Sequence, residues 1–315
     1  MGSEDVGATG GWSGERDRLC GGDPGIGHCP RRSGSGSVQR RKRNAVTRLF
    51  FLAALTMVAF AANSVLNRAA LAGGETGPAA FAAIRLFSGA LCLAVLATVK
   101  TGLPQLVQPG RWLRAVSLLT YMLGFSFAYV ALDAGVGALI LFGGVQITMF
   151  GGALWGGERP HTARWIGAAV AFGGLFWLLW PGSHTAPDLL SAGLMAAAAL
   201  GWGIYSLAGR SAHDPLGDTA ANFLVAAPVA LLFWLIFPDG IGTNGIMLAV
   251  VSGAITSGLG YALWYSLLPR MEASTAALAQ LTVPVIALLG GAVLLAEPPT
   301  WKLVAASVIV LGGVA

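Results

Sequence analysis

From Val46 onward the chain is a succession of apolar runs of about twenty residues, recurring every 25 to 30 residues and separated by short turns rich in Gly, Pro, Asp and Arg. A run of that length crosses the roughly 30 Å hydrocarbon core of a bilayer as an α-helix rising 1.5 Å per residue. The runs lack the strict alternation of barrel strands, and backbone groups in lipid must be satisfied within their own segment, so helices are favoured. Ten spans are expected, at 47–71, 78–99, 112–131, 135–155, 163–180, 188–208, 219–237, 245–268, 273–296 and 301–315. The predicted fold is an all-α integral membrane bundle. The last run, 15 residues ending at Ala315, is shorter than a full crossing and reads as a truncated span.

Charge is distributed as a membrane protein requires. Residues 1–48 hold 9 of the 19 Lys and Arg and 5 of the 14 Asp and Glu, leaving a body of 267 residues that is about 7% charged. A basic excess of this kind could serve nucleic acid, but beside so apolar a body it reads as a topology signal instead. With the N-terminus inside, the inner loops and tail carry Arg40, Arg41, Lys42, Arg43, Arg48, Lys100, Arg111, Arg114, Arg159, Arg164, Arg210 and Arg270, whereas the outer side carries Arg68 and Lys302. This asymmetry predicts a protein of the cytoplasmic (inner) membrane with both termini in the cytoplasm.

Residues 1–45 contain eleven glycines and almost no periodic apolar residues, too little to offset the entropy of folding, and are expected to be disordered. No short apolar stretch marks a secretory signal there. The segment beginning VTRLFFLAALTMVAF at Val46 reads as a plausible native start, which would place the tail outside the natural coding sequence. Cys20, His28 and Cys29 lack a fourth ligand and make a poor zinc site, and with Cys92 they are too few for a disulfide scaffold. No metal or cofactor is expected.

The chain repeats itself. A shift of 142 lays Ser64 on Ser206 and Arg68 on Arg210; a shift of 136 lays Gly124 on Gly260 and Tyr129 on Tyr265. A shift of 139 lays Gly151 and Gly152 on Gly290 and Gly291, Glu158 on Glu297, and Pro160 on Pro299. Two copies of five spans, 46–180 and 188–315, follow. Since five is odd, the copies enter the membrane in opposite senses. Inverted repeats with a site at their interface are a recurrent architecture of secondary transporters.

Asn63, Asn67 and Arg68 in an N-x-x-x-N-R pattern, A-A-x-R around Arg85, and the paired G-E-R-P at 157–160 and A-E-P-P at 296–299 resemble the drug/metabolite transporter superfamily, specifically its EamA-type ten-span branch. The resemblance covers about residues 48–315. It implies a cavity lined by spans 1 to 4 and 6 to 9, peripheral spans 5 and 10, and transport of small metabolites, often as efflux. The partners implied are a small-molecule substrate such as an amino acid, a derivative or an amphipathic drug-like compound, and the bilayer; a homodimer is compatible with this reading.

Several polar and aromatic residues inside the spans are candidates for substrate contact. Arg85 lies within span 2, where a charge costs roughly 2.5 to 3.5 kcal/mol on insertion scales; it either attracts an anionic group or serves as a structural donor. Asn63 and Asn67, spaced i and i+4, share one face of span 1 with Phe60, to bind substrate or to hydrogen-bond a neighbouring helix. On span 6, Trp202 and Tyr205 suit an aromatic cage or plain packing. Gln146 on span 4, beside Phe142 and Phe150, and Gln280 on span 9 are further candidates, as are Tyr121, Tyr261 and Trp264, which could equally anchor at an interface. Pro284 bends span 9 or exposes a carbonyl. Gly151, Gly152, Gly290 and Gly291 permit close helix packing, or hinge motion. Glu158 and Glu297, each before a Pro or Arg-Pro, read as caps on the N-terminus of the next helix.

Other classes fit less well. A membrane enzyme would need paired intramembrane acids, a Ser-His or Cys-His arrangement or clustered ligands, and a channel would need a filter or charge ring. Neither pattern is visible in the sequence, and no phosphate-binding G-x-x-x-x-G-K-[ST] loop occurs.

Overall fold

The structure, a computed structural model, describes residues 34–157, 161–180, 187–209, 214–271 and 279–314. Cys20, His28, Cys29, Glu158 and Arg210 lie outside the described residues, as does most of the basic tail. Two units are distinguished, Met1–Thr47 and Arg48–Ala315, and the second holds the helices that matter below.

The described residues form helices and no strand. These are α1 (Gly34–Leu71), α2 (Pro78–Lys100), α3 (Arg111–Ala128), α4 (Ala134–Trp155), α5 (Thr162–Leu179), α6 (Leu189–Gly209), α7 (Pro215–Ile236), α8 (Thr243–Val250), α9 (Gly260–Leu267), α10 (Thr282–Leu294) and α11 (Trp301–Val314). A π-helical segment, Val251–Leu259, joins α8 to α9, making one rod from Thr243 to Arg270. Seven of these elements, among them that rod, are long and apolar enough to cross a membrane. The third helix falls short by composition because Arg111 and Arg114 occupy its first turn. α1 begins at Gly34, within the stretch expected to be disordered; once a helix is nucleated, each added residue gains a hydrogen bond, so the ladder runs upstream past the apolar boundary.

Helix starts follow local chemistry. Pro78 and Pro215 occupy the first turns of α2 and α7, where a missing N–H costs nothing. Asp214 and Asp188 cap their own helices, accepting from Gly217 N at 3.0 Å and Ser191 N at 2.8 Å. α2 and α4 borrow their caps. Asp239, in the loop after α7, accepts from Ala79 N at 2.7 Å and Ala80 N at 2.9 Å; Glu297, in the loop before α11, accepts from Ala134 N at 2.9 Å. Glu297 was expected to cap the helix that follows it. It reaches α4 instead, because the fold brings the turn after α10 against the start of α4.

The first five helices and the later ones interleave: α2 packs on α7, α3 and α4 on α6, α4 on α10, and α5 on α11. Small residues allow the close approach. A Cβ added at Gly124 of α3 would sit 2.7 Å from the carbonyl oxygen of Leu194 in α6, and one at Gly201 of α6 would sit 2.6 Å from that of Ser117 in α3. The outer surface is apolar, with Phe50, Phe87, Leu91, Phe172 and Leu235 exposed, as lipid-facing side chains should be.

Candidate functional site

One face of α1, stepping a turn at a time, presents Phe60, Asn63 or Ser64, and Asn67 to the bundle interior, where all four are buried. Asn67 Nδ2 donates back to the Asn63 carbonyl at 2.9 Å, and Asn67 Oδ1 accepts from Ser126 of α3 at 3.1 Å. Asn67 thus ties α1 to α3. Asn63 faces the π segment: Ser252 Oγ, Thr256 Oγ1 and Ser257 Oγ lie 2.9, 2.6 and 3.3 Å from its Oδ1.

Arg85 enters the same cluster from α2 and is fully buried. Its Nε and Nη2 donate to Ser257 Oγ at 3.2 and 3.1 Å, and Nη2 also donates to Tyr121 Oη at 3.1 Å. The guanidinium carbon lies 5.0 Å from the centre of the Phe125 ring and 5.6 Å from that of Tyr121, within cation–π range. Nη1 is buried with no hydrogen-bond partner, and none of the ion pairs among the described residues involves this side chain. A bare cation in so apolar a place is costly. Here it is offset only by neutral oxygens and ring faces.

Aromatic rings close over this polar floor. Trp202 of α6 stands 5.0 Å centre to centre from both Tyr121 and Tyr261, while Phe60 meets Tyr261 at 5.6 Å and Trp264 at 5.9 Å. Phe60, Tyr121, Trp202 and Tyr261, together with Asn63, Phe125, Leu141 and Phe142, line a cavity, and Trp264 packs outside that lining. The centre of a water-sized sphere can occupy about 10 Å³ of it, roughly room for one water. The observed state is closed.

The sequence candidates sort accordingly. Asn63, Trp202 and Tyr261 line the cavity, joined by Tyr121; Arg85 and Asn67 stand behind its wall. Tyr205 stacks on Trp202 at 5.6 Å but turns its hydroxyl away, accepting from Asn222 Nδ2 at 3.3 Å beside a second small pocket under Arg114. Gln146 and Gln280 are half-buried and are not among the residues lining the cavity. Pro284 falls in the first turn of α10, one turn past Gln280, and Leu281 between them keeps helical dihedrals. Gly152 faces Leu207, Gly290 faces Val65 and Gly291 faces Ala134, all packing roles, whereas Gly151 meets open space.

Sequence reasoning missed Ser252, Thr256 and Ser257. Hydroxyls in a helix ordinarily bond the carbonyl one turn back, as Thr256 does to Ser252 at 3.0 Å, so they carry little signal alone. Their spacing of four and five residues was the available clue. Among the described residues no three His, Cys, Asp or Glu side chains gather closely enough to hold a metal ion.

Charged clusters mark the two ends of the bundle. At the end shared by the C-termini of α1 and α3, Arg68 Nε meets Glu297 Oε1 at 2.7 Å, Nη2 meets Asp133 at 3.5 Å, and Nη1 donates to the carbonyls of Tyr129 and Val130. Burial raises the Asp133 carboxyl above its ordinary value, aided by the Glu297 carboxylate and opposed by Arg68. At the opposite end, Arg111 of α3 pairs with Asp218 of α7 at 2.9 Å and donates to Asn222 Oδ1 at 2.8 Å and the Gln105 carbonyl at 2.8 Å.

Residues 189–315 match the model of the EamA-like transporter family. The chain is 47% identical over 270 residues to an uncharacterised protein of Pseudomonas aeruginosa, covering 85% of this chain and 93% of that one. It is 28% identical over 202 residues to an uncharacterised transporter of Archaeoglobus fulgidus, covering 62% of this chain and 71% of that one. The chain belongs to the EamA-like transporter family. It is an integral membrane transporter of the drug/metabolite superfamily, acting on a small molecule across a lipid bilayer. A third relative, the uncharacterised transporter YvbV of Bacillus subtilis, is 24% identical over 276 residues, covering 84% of this chain and 90% of that one. The fold is shared with a solved crystal structure at a TM-score of 0.59 and 23% identity, covering 82% of this chain and 94% of that one.

Proposed function

We propose that this EamA-family protein is a secondary carrier that exports a small metabolite from the cytoplasm, alternating access to the aromatic cavity by rocking two inverted five-helix repeats against each other. In this reading it lies in the cytoplasmic membrane with both termini inside, as the loop charges favour. Three features support it. The pairs α2 with α7, α4 with α10 and α5 with α11 join elements that occupy the same place in each repeat, as a pseudo-two-fold axis requires. The cavity draws on both halves, with Asn63 and Tyr121 from one and Trp202 and Tyr261 from the other. The ion pairs Arg68–Glu297 and Arg111–Asp218 tie the halves at opposite ends, the arrangement a two-gated path needs.

The observation that carries the proposal is the closed cavity itself. Space for one water admits no metabolite, so a substrate enters only when helices from the two halves separate. Substrate contact is assigned to Asn63, Tyr121, Trp202 and Tyr261.

The test is metabolite profiling of cells and medium with the protein overexpressed or deleted, followed by counterflow of the responding compound in proteoliposomes. Export predicts a compound enriched outside on overexpression and retained on deletion, with saturable counterflow that Trp202→Ala reduces at least tenfold. Linear, non-saturating flux points to a channel. No flux of any compound by inserted wild-type protein refutes the carrier.

A further inference from the structure

Proton accounting around Arg85 carries the carrier reading further, to the chemistry of the substrate's head group. Ser257 Oγ accepts two N–H bonds from Arg85, so its single proton is free for Asn63 Oδ1, 3.3 Å away. With Oδ1 held by the Ser252 and Ser257 hydroxyls, the Asn63 amide nitrogen is left with no acceptor among the described residues, in a side chain that lines the cavity. Tyr121 Oη likewise accepts from Arg85 and sits 3.4 Å from Tyr261 Oη. Two phenols that share one contact use one proton between them, so the other is left over, and both rings line the cavity. The surplus groups on the cavity wall are therefore donors. Each is polarised by a buried cation for which the described residues supply no carboxylate.

We infer that the cavity binds a carboxylate on a flat apolar body, the carboxylate accepting from Asn63 Nδ2 and from the Tyr121 hydroxyl, whose proton is the one left over when Tyr261 Oη donates to Tyr121 Oη, with Arg85 as a positioning residue that charges both donors without touching the ligand. The rings of Phe60, Trp202 and Phe142 supply the slot for the body. An ammonium head is disfavoured, since it would add a second cation beside Arg85 and find donors where it needs acceptors. A neutral amide accepts at one oxygen only. The inference rests on the carrier reading for its occupant, and on hydrogen bonding alone for its head group.

The experiment uses detergent-purified full-length protein and three probes of one shape: phenylacetate, phenylacetamide and phenethylamine, with affinities measured by calorimetry at pH 7. Wild type is expected to bind phenylacetate at least tenfold more tightly than the amide, and the amine least. Tyr121→Phe keeps the ring and is expected to cut the acid-to-amide ratio about threefold or more. Asn63→Asp replaces donors by an acceptor and is expected to abolish the preference, as is Arg85→Gln. Should either of these fail to fold, the Tyr121→Phe ratio decides alone. Equal affinities, tighter binding of amide or amine, no binding of any probe, or a ratio unmoved in Tyr121→Phe overturns the inference. The two readings fail separately: counterflow of a compound that lacks a carboxylate sinks the head-group assignment and leaves the carrier standing, whereas the absence of any counterflow sinks the carrier.

Discussion

Arg111 at one end of the bundle and Arg85 in its middle are both buried guanidiniums, and they are treated in opposite ways. Arg111 has Asp218 at 2.9 Å, an amide oxygen and a backbone carbonyl. Arg85 has two hydroxyls and two ring faces and, among the described residues, no carboxylate, while each of the two guanidiniums keeps one nitrogen without a partner. Charge that holds the bundle together is neutralised by the chain itself. Charge at the cavity meets no carboxylate among the described residues, the mark of a group kept for something that comes and goes.

Four substitutions test that contrast, in order of falling effect. Asp218→Ala leaves Arg111 buried without its counter-ion and is expected to destabilise by about 3 kcal/mol or more, the usual result of breaking a buried pair. Chemical unfolding in micelles reads this directly. Glu297→Gln weakens both the pair with Arg68 and the bond from Ala134 N, and a loss of about 1 to 2 kcal/mol is expected. In Arg85→Gln a lone charge is replaced by a neutral donor, so stability should move by less than about 1 kcal/mol in either direction; a loss as large as that of Asp218→Ala would make Arg85 a structural tie after all.

The smallest effect is that of Asp133→Asn. Burial raises this carboxyl in the folded protein, so the folded state holds its proton more tightly than the unfolded chain does. Stability on this account is greatest below the ordinary value of 3.8 and falls as pH rises through the raised folded value. The asparagine variant should therefore match wild type in acid and melt slightly higher at pH 7, and thermal scans at the two pH values compare them.

Much of the fold could be read from the sequence, because hydrophobic length is a local property: the apolar runs starting at 78, 135 and 163 begin within one residue of α2, α4 and α5. The site was legible in part. Asn63 and Arg85 stood out because polar groups in lipid must have a purpose, yet Gln146 and Gln280 stood out equally and do not line the cavity. Sequence shows that a polar group is buried in the membrane; it does not show which way the helix is rotated. The hydroxyls of the π segment were invisible for the opposite reason, since Ser and Thr are ordinary in membrane helices. Nor could the reach of Glu297 to Ala134, 163 positions away, be read from its neighbours.

That reach, with the matching one of Asp239 to Ala79 and Ala80, bears on the order of events at the ribosome. The first five helices leave the exit tunnel before either carboxylate has been made. Until then the leading amides of α2 and α4 have only water or lipid headgroups to bond, and these two helices enter the bilayer unfinished. The early half of the chain is completed by the late half, so the late half has to arrive for the early one to settle.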